Sequence, residues 1–339
     1  MSPTTAVRHT EVPRLKEKRI GMRSIAHLSL ISTPTPLQTL DAYSTKLDMA
    51  LPILIKREDL SSSRYGGNKV RNLEFVLADA LVRGSQCVKT LVPYGSNFTA
   101  ALASEAASVG LGVNLHQFVA RENAQTHAHA NFAALHRAKL HTHPGRLGPA
   151  RALMSYIADR SSYSISPGAS NVLGAAGHMH AFLETLSQLE SHGRKAPDFV
   201  VVGTGTCGTT AGILAGIRSS GVRTRVMGVR CADPIVCNPH RILRLSNQLL
   251  AFGGLDVRVR RRDFELVAAP GHLGYGHPST AAMAAAQDFF DLEGLSLDVT
   301  YTSKVIAALT ALRQKRVITP HHSVLYWHTY SARAHHLYL

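Results

Sequence analysis

"LPILIKREDLSSSRYGGNKVRNLEFVLADALVRG", residues 51–84, is the stretch on which the fold turns. Its first part, "LPILIKRED" (51–59), reads as a strand ending in a polar turn. Its last part, "NKVRNLEFVLADALVRG" (68–84), carries Val70, Leu73, Val76, Leu77, Ala80 and Leu81 at the spacing of a helix with one buried stripe. Between them stand Gly66, Gly67, Asn68 and Lys69. Glycine permits backbone dihedrals and close approaches that residues with a Cβ resist, and asparagine is a good N-cap for the helix that Lys69 opens. A lysine kept only for solubility needs no such surroundings. The spelling points to a ligand brought close to Lys69.

Outward from this unit the same alternation continues. "CVKTLVPYG" (87–95) is a strand, "SNFTAALASEAASVG" (96–110) a helix and "GVNLHQFV" (112–119) another strand, which gives βαβαβ order. The Ala/His-rich segment 123–143 reads as helical, and 163–190 returns through a strand and a Gly/Ser turn into a long helix. "PDFVVVGTGTCGTTAGILAGIRSSG" (197–221), followed by the strand "RVMGVRC" (225–231), is a further βαβ unit. Short apolar runs alternating with amphipathic stretches define an α/β fold with parallel-rich sheets covered by helices. No short internal repeat is present.

Composition narrows the function. A chain of 339 residues with 45% apolar content can bury a substantial core. The net charge of +15 is scattered, with "RLKEKR" (14–19) and "RVRRRD" (258–263) as the dense basic runs, and no stripe interleaved with aromatics marks a nucleic-acid surface. Cys87, Cys207, Cys231 and Cys237 lack CxxC spacing and scaffold density, which fits a reducing compartment. No apolar run reaches membrane-spanning length, and the N-terminal arm, basic but carrying Glu11 and Glu17, lacks the apolar core of a secretory signal. A cytoplasmic protein is the expectation. Of the 19 histidines, ten crowd into 127–143 and 321–336 without HExxH or accompanying carboxylates, so no metal is expected.

Chemistry is carried by turns that follow strands. "GTGTCGTTAG" (203–212) lies between the apolar run "FVVV" and a helix, where backbone N–H groups and the positive helix end suit a phosphate. Alone it fits a nucleotide or a merely tight turn as well, since GxGxxG is matched only in part and no GxxxxGK[ST] occurs. Lys69 on one turn, this loop on a second and "GSN" (95–97) on a third would meet at the carboxyl ends of a parallel sheet, where such folds bind ligands. A phosphorylated aldehyde suits that combination: pyridoxal 5'-phosphate (PLP) needs a partly neutral lysine and a rigid anion seat.

The segment "LIKREDLSSSRYGGNKVRNLEFVLADAL" strongly resembles the lysine segment of the 1-aminocyclopropane-1-carboxylate deaminase and D-cysteine desulfhydrase family, which has the tryptophan synthase β-like fold of PLP enzymes (fold type II). The resemblance covers most of the chain. "GSNFTAALASEAASVGLG" is similar to the family's QSNH segment and "SPGASNVLGAAG" to its PxGGSNxxG turn. "GTCGTTAG" is similar to its GSGGTxAG loop, "GYGHPS" to GYGxP, "VTYTSKVIAAL" to VYTxK and "VLYWHTYS" to HTGG. It implies Lys69 as the Schiff-base lysine, Asn97 against the cofactor's phenolic oxygen, and Ser96 near the substrate carboxylate or reacting carbon. It further implies Gly205, Thr206, Cys207, Gly208 and Thr209 as the phosphate loop, Tyr275 as an active-site tyrosine and Thr329 facing the pyridine nitrogen. Catalytic roles thus fall to Lys69, Ser96 and Tyr275.

Two domains are expected beyond a flexible basic arm at 1–25: a large PLP-binding domain of 26–65 and 175–339, and a smaller α/β domain of 66–174. The implied activity is a PLP-dependent lyase or deaminase acting on a small amino acid by elimination or ring opening with ammonia release, in a homodimer. A β- or γ-replacement enzyme and a non-catalytic PLP-holding protein are the alternatives. Departures from the family pattern stand at Gly95, Phe98, Cys207, Tyr330 and Ser331. Phe98 replaces a titratable group with bulk beside the expected substrate carboxylate, so the substrate is expected to differ from the family's.

Overall fold

The computed structural model describes residues 14–331 except 121, 273 and 278. In chain order the elements are β1 (Leu15–Ile20), β2 (Arg23–Leu28), β3 (Leu37–Leu40), α1 (Asp41–Lys46), β4 (Ile53–Arg57), α2 (Lys69–Val82), β5 (Cys87–Pro93), α3 (Asn97–Ser108), β6 (Gly112–Phe118) and α4 (Ala124–Leu135). They continue with β7 (Lys139–His143), α5 (Gly148–Ala158), β8 (Tyr163–Ser164), α6 (Val172–Ser191), β9 (Phe199–Thr204), α7 (Gly208–Ser220), β10 (Arg225–Arg230) and α8 (Pro239–Phe252). The last are β11 (Phe264–Ala268), α9 (Thr280–Glu293), α10 (Thr302–Gln314) and β12 (Val324–His328).

A six-stranded sheet in the order β11-β10-β9-β12-β4-β3 and a four-stranded sheet in the order β7-β6-β5-β8 carry the architecture. All pairings in the smaller sheet are parallel, and in the larger only edge strand β3 runs antiparallel. The central strands of the larger sheet obey the period of two that a sheet covered on both faces requires. Val200 and Val202 of β9, Leu325 and Trp327 of β12 and Leu54 of β4 enter one apolar cluster with α6, α7 and α8. Phe199, Val201, Val324, Tyr326, Ile53 and Ile55 enter the opposite one, with Tyr43 of α1, Phe289 of α9 and Val305 of α10. Each such large side chain, fully buried, contributes about 1.5–3 kcal/mol.

Two readings of the sequence are corrected here. Of the flexible arm expected at 1–25, residues 1–13 lie outside the described residues, but β1 and β2 form an antiparallel hairpin, with Leu15 opposite Leu28 and Ile20 opposite Arg23. Ile20 and Leu28 are buried, and β2 packs on α2, so apolar anchoring outweighs the basic composition of "RLKEKR". The helix expected over 123–143 stops at Leu135, Arg137 takes the left-handed conformation at φ 61, and 139–143 pairs with β6 as a parallel edge strand. The histidines of this region serve the fold. His129 Nδ1 lies 2.9 Å from Gly95 O, His136 Nδ1 lies 2.9 Å from Phe132 O, and the His141 ring stacks on His116 with centroids 4.9 Å apart.

The unit that begins the larger sheet and supplies Lys69 is pinned by buried charge. Arg71 of α2, 1% exposed, binds Glu58 bidentately at 2.8 and 2.9 Å and Glu184 of α6 at 2.9 Å through both terminal nitrogens. Lys56 of β4, fully buried, reaches Glu184 at 2.7 Å and Gln188 at 2.6 Å. Burial pushes the Glu184 carboxyl up, but hydrogen bonds and charge from Arg71 and Lys56 outweigh it and hold the group at about 2. Two cations and two carboxylates close the network, which locks the start of α2 to both β4 and α6.

Candidate active site

The glycines before Lys69 now have a physical reason. Gly66, at φ 90, folds so close to the end of β4 that a Cβ would lie 2.5 Å from the Asp59 carbonyl oxygen. Gly67, at φ 82, passes the end of β12, where a Cβ would lie 3.3 Å from Thr329 O. Thr329 O also accepts from the Asn68 N–H at 3.3 Å. Asn68 does not cap α2 with its side chain, as its type led one to expect; the amide donates instead to Thr209 Oγ1 at 2.8 Å, tying the lysine turn to α7.

Lys69 points into the meeting place of the turn before α6 and the loop before α7. A Cβ on Gly168, itself at φ 65, would lie 3.5 Å from Lys69 Nζ and 2.6 Å from Thr206 Oγ1. Thr206 Oγ1 and Ser170 Oγ are 2.6 Å apart. A Cβ on Gly208 would lie 2.6 Å from the same Ser170 hydroxyl, so the glycine keeps that approach open. Burial lowers the Lys69 amine from its ordinary 10.5 to about 8, against a small opposing effect of Cys207. A substantial fraction is therefore neutral near physiological pH.

The loop from Thr204 to Gly208 leaves the buried strand β9 and enters α7 through Cys207, whose φ of 72 belongs to the left-handed region that favours glycine. Its side chain is buried, with Sγ 3.7 Å from Val236 O, while Cys237 Sγ donates to Thr204 O at 3.1 Å. The thiol is thus accommodated behind the loop.

Ser96 and Asn97 stand at the start of α3. Ser96 occupies the N-cap position in extended conformation without a side-chain cap, and its hydroxyl is hydrogen-bonded to the Tyr275 phenol. Asn97 Oδ1 accepts from the Tyr65 hydroxyl, which leaves the Asn97 amide nitrogen as the donor. Burial raises the Tyr275 phenol above its ordinary range, partly offset by its bonds to Tyr301 and Ser96. Tyr301 is the residue that sequence reasoning missed. Its ring meets that of Tyr275 at 6.0 Å and 73°, and its hydroxyl lies 3.1 Å from where a Gly205 Cβ would stand. Its motif was legible, but nothing local told which residue of "VTYTSK" meets Tyr275 and the Gly205 loop.

Lys304, the other lysine of a recognisable motif, is fully buried and donates to Gly274 O at 2.8 Å, holding the Tyr275 loop. Phe98, 4% exposed, and Tyr330, 5% exposed, belong to one apolar cluster with Tyr65 and Ile165. The bulk of Phe98 is therefore absorbed by the core. Among the described residues no group of three or more His, Cys, Asp or Glu side chains is placed to hold a metal, and no helix is long and apolar enough to cross a membrane.

The family model described as "Pyridoxal-phosphate dependent enzyme" matches residues 28–329. D-cysteine desulfhydrase of Klebsiella pneumoniae (strain 342) is 31% identical over 322 residues, covering 91% of this chain and 94% of that protein. Among solved structures, an ACC deaminase homologue superposes with a TM-score of 0.77 at 24% identity, covering 92% of this chain and 95% of that one. O-ureido-L-serine synthase superposes with a TM-score of 0.65 at 17% identity, covering 91% of each chain. These two likenesses concern the fold. Fold and family together define a PLP-dependent lyase or deaminase of fold type II. The chain belongs to the 1-aminocyclopropane-1-carboxylate deaminase and D-cysteine desulfhydrase family.

Proposed function

We propose that Lys69 carries the cofactor, that Gly205, Thr206, Cys207, Gly208 and Thr209 hold its phosphate, and that the enzyme releases ammonia from a small amino acid by elimination or ring opening. The observation that carries this reading is the Lys69 amine, lowered to about 8 and lodged beside the Gly168 turn and Thr206. The residues fit PLP. Gly208 and Gly168 keep open approaches that a Cβ would fill, backbone N–H groups at the start of α7 suit a phosphate, and an amine with a substantial neutral fraction suits an aldehyde.

When bound, PLP supplies an electron sink for the substrate's α-carbon. The remaining work falls to this chain's own groups. Asn97, whose Oδ1 is taken by Tyr65, would offer its amide N–H to the cofactor's phenolic oxygen, and Thr329, a hydroxyl residue just past β12, would face the pyridine nitrogen without firmly protonating it. The Lys69 amine, lowered by burial, would serve as the base that takes a proton at the substrate's Cα or Cβ. The Ser96, Tyr275 and Tyr301 hydroxyls form one hydrogen-bonded set that would position the substrate carboxylate and move a proton at the departing or opening group. Where the family carries glutamine and histidine this chain has Gly95 and the core-packed Phe98, and the loss of those polar groups supports a substrate diverged from D-cysteine and 1-aminocyclopropane-1-carboxylate.

Borohydride reduction of the loaded enzyme followed by peptide mapping tests the assignment. A pyridoxyl group on Lys69, absent from Lys69→Ala, is the expected result; labelling of Lys304 would overturn it.

A further inference from the structure

Four buried side chains behind the phosphate loop form a chain whose proton order can be worked out. Asn72 of α2 points its amide nitrogen at Gly174 O (3.1 Å) and Ala169 O (3.4 Å), so its Oδ1 is the acceptor facing His178 Nε2 at 3.0 Å. That fixes the proton of His178 on Nε2. His178 Nδ1, buried and without a hydrogen-bond partner, is then the bare nitrogen. The same Nε2 lies 3.2 Å from Thr209 Oγ1, which also accepts from Asn68 Nδ2 at 2.8 Å. The Thr209 oxygen thus faces donors from both sides, and its own hydroxyl hydrogen has neither of them as an acceptor.

We infer that His178 is a positioning residue for the cofactor phosphate: by acting only as a donor toward Asn72 and Thr209, it leaves the Thr209 hydroxyl hydrogen free to be donated to the anion at the start of α7. This rests on the proposal that the loop 205–209 seats the phosphate. Because Asn68 precedes Lys69 directly, the same chain fixes the spacing between the anion seat and the amine. His178 itself is fully buried and uncharged, since burial and then the charges of Lys69 and Arg71 lower its pKa well below the ordinary value.

The test compares PLP with pyridoxal, which lacks the phosphate, binding to apoprotein variants, with the 31P resonance of bound PLP as a second readout. His178→Leu should weaken PLP about tenfold and leave pyridoxal unchanged, and Thr209→Val should do the same. The double variant should be no weaker than either single one, because both remove one hydrogen bond. His178→Gln, whose amide nitrogen can take the place of Nε2, should restore wild-type PLP affinity and 31P shift. Additive losses, equal loss of PLP and pyridoxal, or an unaffected His178→Leu would each overturn the assignment. If His178→Leu does not fold, Thr209→Val and His178→Gln decide, since a 31P shift in His178→Gln matching that of Thr209→Val would also refute it. The underlying reading fails separately, if wild-type protein binds pyridoxal as tightly as PLP.

Discussion

Gly95 stands where the family carries glutamine, and the surroundings of its Cα say what restoring a side chain would do. The residue sits at φ 63, and a Cβ there would come within 2.5 Å of the carbonyl carbon of Thr126 and closer still to its oxygen and Cα. Gly95 O also accepts from His129, so α4 is seated directly on this turn. Gly95→Ala therefore meets two penalties, left-handed strain of about 1–2 kcal/mol and overpacking of about 1–3 kcal/mol. Gly84 separates them. It has φ 72 and nothing within 4 Å of its virtual Cβ, so Gly84→Ala pays the strain alone. Urea unfolding of both variants should place Gly95→Ala below Gly84→Ala by about 1–3 kcal/mol, with Gly95→Gln lower again and no gain of activity toward D-cysteine. Equal stability of the two alanine variants would refute the claim that α4, rather than backbone strain, excludes a side chain here.

Other outcomes follow from the same geometry. The rate at which apoprotein captures PLP should rise with pH and level off above about 8, because desolvation lowers the Lys69 amine and only its neutral form attacks; a flat profile from pH 7 to 9 would count against it. Arg71→Leu should cost about 3–5 kcal/mol in a urea melt, since it leaves Glu58 and Glu184 facing Lys56 alone, and a loss under about 1 kcal/mol would show the network to be dispensable. Tyr301→Phe and Tyr275→Phe should each reduce turnover of whichever amino acid shifts the cofactor spectrum by at least about tenfold while PLP stays bound, which absorbance measured alongside product formation would check.

The α/β class, the strand-to-helix turn at Lys69 and the glycine loop before α7 were legible in the sequence because their signals are local. Apolar period, glycine pairs and turn residues act within a few positions and singled out Lys69 and the "GSN" turn, while the family resemblance implied Ser96, Asn97 and Tyr275, of which Ser96 is hydrogen-bonded to Tyr275 and Asn97 to Tyr65. What stayed hidden depends on partners far along the chain. Nothing in "KLHTH" distinguishes a helix continuation from an edge strand until β6 offers its parallel edge. Arg71 looks like a solvated helix residue until Glu58 and Glu184 surround it. Asn68 was read as a cap, yet its amide goes to Thr209, because the fold sets α7 beside the start of α2 and a charged or polar group is buried only where its hydrogen bonds are met. Tyr301 meets Tyr275, and His178 meets Thr209, for the same reason: segments distant in sequence are laid side by side, and the direction of a side chain there is decided by tertiary contact rather than by its neighbours in the chain.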